Sequence, residues 1–395
     1  ICKHHRNDGD HSITEDIQLI EQLLIFLYHY YPFAVGSKGY SVFIFNKLKQ
    51  DEDDGINTAT AISILDATPH ASNREIYVRL RQSNHLLDNL PAYKNTQIFR
   101  IEHVHSLVVH NLEQLGTRLF EDAKPDESGN KVISLLVVGL GRTGSELVKN
   151  LAWFTQIEGY TTQIHAFEQD RTAIERFKHR CPGFFDADTP DRHCQIVIHP
   201  DMVFGTPAFD RELHSLGQIG FVFVTLGSDQ TNISAALDIR MSLARAKLHP
   251  PIQAVVRNEE VGNLISNSKS IRGISYDISF IGSFKDIYCL DFITDARNKA
   301  EVIRNFTTNG YENLINECLS NEERFRFAKS EILHKNLMDA LEITGEARSI
   351  SHHRRLVNFL LSEGYLPGQT WDDLAKLHPL LVSYDQLPEE NRYIT

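Results

Sequence analysis

At 395 residues the chain exceeds the usual size of a single core, so two or three domains are expected. It is 42% hydrophobic and 23% charged with a formal net charge of −12, an ordinary globular composition. That charge argues against nucleic acid or a membrane surface as partner, because either would need a basic face. The five cysteines (Cys2, Cys181, Cys194, Cys289, Cys318) show no CxxC spacing, which fits a reducing cytoplasm better than an exported disulfide framework. The most apolar stretch, roughly 23 to 35, is too short to span a bilayer, and no signal peptide is visible. Residue 1 is isoleucine, so the chain reads as a fragment, and a membrane or partner segment is expected upstream of it.

In chain order, Ser12-Ile13-Thr14-Glu15 has the pattern of a capping box and predicts a helix start. Ser41–Phe45 reads as a strand, Asp54-Gly55-Ile56-Asn57 leads into a helix with Ala59 and Ala61, and Glu75–Arg79 and Gln97–Ile101 read as further strands. A helix through Leu107, Val108 and Leu112 closes this first module. Lys124 to Lys131 is polar and turn-rich, as a linker would be.

Next, Leu135-Leu136-Val137-Val138 runs directly into Gly139-Leu140-Gly141-Arg142-Thr143-Gly144, and small and aliphatic helix residues follow. A dinucleotide fold needs this order: Gly139 permits a tight turn, Gly141 lets the backbone approach a pyrophosphate, and Gly144 lets the helix pack closely on the strand. Ile164–Glu168 reads as the next strand, ending in a carboxylate that can accept from ribose hydroxyls and repels a 2′-phosphate. Gln195–Ile198, Phe221–Gly227, Ile252–Arg257 and a strand near Ile274 to Phe280 continue the alternation, with a helix opening at Ser228-Asp229-Gln230-Thr231-Asn232. Such alternation means βαβ crossovers and a parallel sheet. The first module echoes the second half of this pattern, Asp54–Asn57 matching Asp229–Asn232 and Glu75–Arg79 matching Ala254–Arg257. From about Asp295 the sequence turns helical and charged, and Gly364 to Pro388 is irregular and rich in Pro, Gly and aromatics.

No catalytic set emerges. His199 and His214 read as solvated or core-satisfied, and His103, His105 and His110 do not make a metal face, so no metal is expected.

The run Gly139–Gly144, the strand end Leu226-Gly227-Ser228-Asp229 with Asn232, and Gly282-Ser283-Phe284 resemble the TrkA N-terminal (RCK/KTN) domains that regulate potassium transport. The resemblance implies that Gly139, Gly141, Arg142, Thr143 and Gly144 hold phosphates and Glu168 a ribose. It further places Asp201 near the base, with Thr225, Leu226 and Gly227 lining the opposite wall. His352–Phe359, Glu363-Gly364-Tyr365 and His378–Glu390 are similar to the RyR module named from ryanodine receptors, departing from it at Leu356 and in a short loop from Gly368 to Lys376.

The expected fold is therefore α/β, with Rossmann-like parallel-sheet modules, one partial (residues 1–123) and one complete (131–300), followed by a small, mainly helical RyR-like domain (310–395). The expected protein is a non-enzymatic, cytoplasmic regulator that binds NAD(H) or an adenine nucleotide (ATP or ADP). It would be a homo-oligomer, acting as the cytosolic ligand-sensing part of a potassium channel or transport system. A sensor of a signalling nucleotide in stress or antiviral defence, and an NAD(P)-dependent oxidoreductase, are the alternatives.

Overall fold

The structure is a computed structural model that describes residues 40–44, 57–59, 61–63, 74–79, 96–101, 103–127, 129–186, 189, 193–258, 270–271, 274–275, 277–282, 321–389 and 392. The chain divides into two compact units, Ile1–His103 and Val104–Thr395. Ser12 to Glu15, the apolar stretch from 23 to 35, Ser283, Phe284, Cys2, Cys289 and Cys318 lie outside the described residues.

In the first unit β1 (Tyr40–Ile44), β2 (Arg74–Arg79) and β3 (Thr96–Ile101) form a parallel sheet in that order. These are the three strands the alternation predicts.

The second unit opens with α1 (His103–Leu115). The segment expected as a linker instead begins with β4 (Lys124–Pro125), paired antiparallel with the start of β5 (Lys131–Val138) through Lys124↔Val132 and Pro125↔Lys131. Its turn closes on Asp126, which accepts from the N–H groups of Gly129 and Asn130. Turn residues mark a reversal; whether a hairpin or a linker results depends on strand pairing that composition does not show.

After β5 come α2 (Arg142–Phe154), β6 (Tyr160–Phe167), α3 (Arg171–Arg180), β7 (Cys194–His199), α4 (Pro207–Ser215), β8 (Phe221–Val224), α5 (Asp229–Arg245) and β9 (Ile252–Val255). The strand expected over 274–280 is split. β10 (Ser270–Ile271) and β11 (Ile274–Ser275) pair antiparallel, Asp277 turns with φ 37°, and β12 (Ile278–Ile281) then joins β9 in parallel. The sheet order β12-β9-β8-β5-β6-β7, parallel throughout, with helices on both faces, is an α/β Rossmann-like architecture.

Burial on both faces explains why the central strands are continuously apolar. Leu135 and Val137 of β5 enter one core with Phe221 and Phe223, Ile164 and Ala166, and helices α1, α2 and α3. Leu136 and Val138 enter the other with Val222, Val224, Phe209 of α4 and Ala235, Ala236 and Ile239 of α5.

The C-terminal segment supplies α6 (Asn321–Ala340) and α7 (Gly345–Ser362), and the core on the α2 face continues into them through Phe327, Leu333, Leu337, Leu356, Val357, Phe359, Leu360 and Leu361. Each such side chain stabilises the packed state by roughly 1.5–3 kcal/mol. The two segments expected as separate modules, 131–300 and 310–395, thus share one core within a single compact unit. Among the described residues no helix is long and apolar enough to cross a membrane.

Charged and polar groups also lie inside this junction. His334 is fully buried, and its Nε2–H donates to Gln156 O at 2.7 Å. Glu331 pairs with His352 at 2.8 Å and with Arg355, whose side chain is fully buried. Burial holds the His334 pKa down at about 3, with the Arg355 charge adding to it, and burial lowers His165 and His378 to about 4. Burial opposes ionisation of Glu331, but Arg355 and His352 outweigh it and bring the carboxyl to about 2. An unfolded histidine takes its proton near pH 6.5, so between there and pH ~4 the unfolded chain binds more protons than the folded one. The histidine contribution is complete above about 6.5 and is lost on acidification, with the Glu331 contribution following below about 4.5. The urea midpoint should therefore fall from pH 7 to pH 4, and His334→Gln, which keeps a donor for Gln156 O, should flatten the fall. A wild-type midpoint independent of pH in this range would contradict the assignment.

Candidate functional site

β5 lies between β6 and β8, and the chain leaves its C-terminal end toward one face of the sheet while β8 leaves toward the other. This divergence opens a crevice at the carboxyl ends of the strands, the place where open α/β sheets hold ligands. Gly139 stands at the end of β5 with φ 99°, a region that disfavours any side chain, and its N–H donates to Phe167 O at 2.8 Å. Gly144 sits so close to the turn that a Cβ there would lie 1.8 Å from Gly139 O and 2.6 Å from Thr225 Oγ1. Gly141 is the N-cap of α2, has no side chain to satisfy the first amides, and would direct a Cβ into open space. Two glycines thus close the loop against the sheet, and the third leaves its outer surface bare.

Two side chains lock this loop. Thr225, buried at the end of β8, places Oγ1 2.8 Å from Gly139 O and 3.2 Å from Val138 O, donating into that pair of carbonyls. Glu168, at the end of β6 and 9% exposed, accepts from Leu140 N at 2.6 Å with Oε2 and from Gln169 N and Asp170 N, each at 2.8 Å, with Oε1. A carboxylate has about four acceptor positions, so roughly one remains for an incoming hydroxyl. Glu168 therefore buckles the glycine loop to the neighbouring strand.

The remaining predicted residues lie beyond the carboxyl ends of β5, β7 and β8. Arg142 and Thr143 form the first turn of α2, with Arg142 exposed. Asp201 has φ 60° beyond β7 and accepts a bidentate pair from Arg171, Nε to Oδ1 at 3.0 Å and Nη2 to Oδ2 at 2.6 Å. The Arg171 hydrogen bonds hold the Asp201 carboxyl below its usual range. Leu226 N donates to Asn232 Oδ1 at 2.5 Å, Asn232 Nδ2 donates to Val255 O at 2.7 Å, and Gly227 has φ 97°. Asp229 Oδ2 accepts from Arg257 N and Asn258 N, so the first turns of α5 tie the ends of β8 and β9 together. Asp170 caps α3 by accepting from Thr172 N at 2.8 Å.

Arg171 escaped the sequence reading; its only signal is its place directly after a helix cap. The His165–His199–Glu212 chain was missed as well. His165 Nδ1 lies 3.0 Å from His199 Nε2, and His199 Nδ1 lies 2.8 Å from Glu212 Oε1. His199 packs on Phe167, which packs on Phe209, so these rings belong to the α4 face of the sheet. Among the described residues no group of three or more His, Cys, Asp or Glu is placed to hold a metal ion.

In comparisons with known proteins, no family model matches the chain, and no curated protein matches it either. A solved structure of a short-chain alcohol dehydrogenase from E. coli CFT073, described as complexed with cofactor NADH, aligns at 12% identity with a TM-score of 0.24. The alignment covers 52% of this chain and 55% of that one, so the chain spans about half the length of the structure it matches. A likeness this weak carries no argument about the ligand.

The loop closure itself can be tested. Gly144→Ala puts a methyl against backbone, which cannot yield as a flexible side chain would, and should lower unfolding stability by about 2–3 kcal/mol. A urea midpoint unchanged from wild type would show that α2 does not approach β5 this closely.

Proposed function

We propose that this chain is a nucleotide-binding regulatory protein. The loop 139–144 receives the phosphates of NAD(H) or of ADP or ATP, and the bound molecule is a signal that is not consumed. The observation that carries this is the N-terminus of α2: its N-cap, Gly141, supplies no capping side chain, and the space over Gly141 is open. An anion placed there meets the N–H groups of the first helical turn and the positive end of the helix dipole. The carboxylate of Glu168, with an acceptor position to spare, stands one strand away and favours a ribose hydroxyl over a 2′-phosphate.

The residues that resemble potassium-transport regulators favour that system as the one controlled, with a homodimer supplying contacts from a second copy. NAD-dependent oxidation is the second reading, and the His165–His199–Glu212 chain is the histidine relay it would have to recruit. The sensor of a signalling nucleotide differs in placing the ligand on the C-terminal segment.

Calorimetric titration of the full chain with NADH, ADP and ATP separates these readings. At least one should bind wild type, and Gly141→Ala should weaken it at least about tenfold, or 1.4 kcal/mol, because the methyl occupies the approach of the phosphates. With φ −59° at Gly141, alanine adds no backbone strain, so the urea midpoint should hold. Equal affinity for both proteins would overturn the site. Steady oxidation of NADH in the presence of a carbonyl compound would favour the oxidoreductase.

A further inference from the structure

The helix whose N-terminus forms the loop is held from its second turn to just past its C-terminal end by the C-terminal segment. α7 runs antiparallel to α2. Near the C-terminal end of α2, Glu158 N donates to Ser351 Oγ at 2.8 Å, the Glu158 carboxylate pairs with Arg354, and Gln156 O accepts from His334. Toward the middle of α2, at the end of its second turn, Lys149 Nζ reaches Glu363 Oε1, at the C-cap of α7, at 3.3 Å.

Lys149 also faces Glu146 at 3.7 Å, and Glu146 accepts from Asn150 Nδ2 at 3.0 Å and meets His105 Nδ1 of α1 at 2.7 Å. Arg326 of α6 lies 3.8 Å from Glu363. Four elements therefore meet in one largely buried charge cluster, with these side chains 11–18% exposed. Burial works against each charge, yet opposite charges keep the Glu146 carboxyl strongly depressed and the Lys149 ammonium strongly raised. Glu146 lies two residues beyond Gly144, and its neighbour Ser145 donates Oγ–H to Leu140 O at 2.7 Å, inside the loop itself. Beside the cluster, Cys181 Sγ at the end of α3 reaches Ser362 O at 3.4 Å, and a Cβ on Gly364 would lie 2.8 Å from Arg180 O.

We propose that occupancy of the glycine loop is passed to the C-terminal helical segment through Glu146, Lys149 and Glu363. This rests on the nucleotide reading above and assigns it an output. A phosphate drawn to the first turn of α2 pulls on a helix whose next turn is clamped to Glu363. Buried opposite charges do not separate gradually without water, so the clamp moves with α2 or changes partner. Anything that binds the C-terminal segment must then alter nucleotide affinity by the same factor in return.

Hydrogen exchange on the full chain, with and without saturating NADH or ADP, tests this. Saturation should slow exchange in 139–145 and, at least fivefold, in 356–366. Glu363→Gln should keep binding and loop protection while losing the response at 356–366. If the loop is protected and 356–366 is unchanged in wild type, the coupling is wrong and the site stands. If neither segment responds and no heat of binding is seen, the nucleotide site fails and takes the coupling with it. The wild-type comparison decides even where the variant folds poorly.

Discussion

The approach of α2 to the end of β5 is the constraint on which the rest of the molecule depends. With no side chain at Gly144, the helix seats against the Gly139 carbonyl, and Thr225 holds that carbonyl from the next strand. Its first amides then open at the switch point of the sheet. Glu168 keeps the turn in place by bonding Leu140 N. Because α2 is fixed at this depth, its outer face stands at the height where α7 packs. The crevice at the strand ends and the C-terminal segment are thus both built on one helix.

What could be read from the residues follows from how local the cause is. Strand β8 and the second half of β5 are apolar on both faces, and that pattern is visible in any short window. Helix starts announce themselves where a side chain caps them, as Asp170, Thr206 and Ser228 do. The glycine loop was legible because each glycine answers a local steric demand. By contrast, Arg171 meets Asp201 across 30 residues and Lys149 meets Glu363 across 214, and no spacing rule links such positions. The polar residues of α6 and α7 were illegible for a related reason. Glu331, His334 and Arg355 stand in a stretch that reads only as helical and charged, yet they are largely buried, Glu331 against Arg355 and His334 against Gln156 O. A buried polar network is recognisable only from its partners, and those come from distant parts of the chain. The link from His165 through His199 to Glu212 was overlooked for the same reason.

Magnitudes limit what the loop can do alone. An anion at a helix N-terminus gains about 0.3–1 kcal/mol per charge at an exposed site, whereas inverting a two-state population requires about 5.5 kcal/mol of differential binding. The contacts along α2 belong to the missing part. A buried ion pair adds little net stability, but removing one partner costs about 3–5 kcal/mol, so a rearranged Lys149–Glu363 contact weighs on the same scale as the switch.

The central claim is that phosphate oxygens seat on the amides at the start of α2. It is tested most directly by following backbone amide resonances of the full chain during titration with ADP. Saturable shifts concentrated in Gly139 to Ser145, with smaller ones at Glu168 and Leu226, are the predicted result. Shifts confined to residues beyond 321, or none at millimolar ADP and NADH, would contradict it.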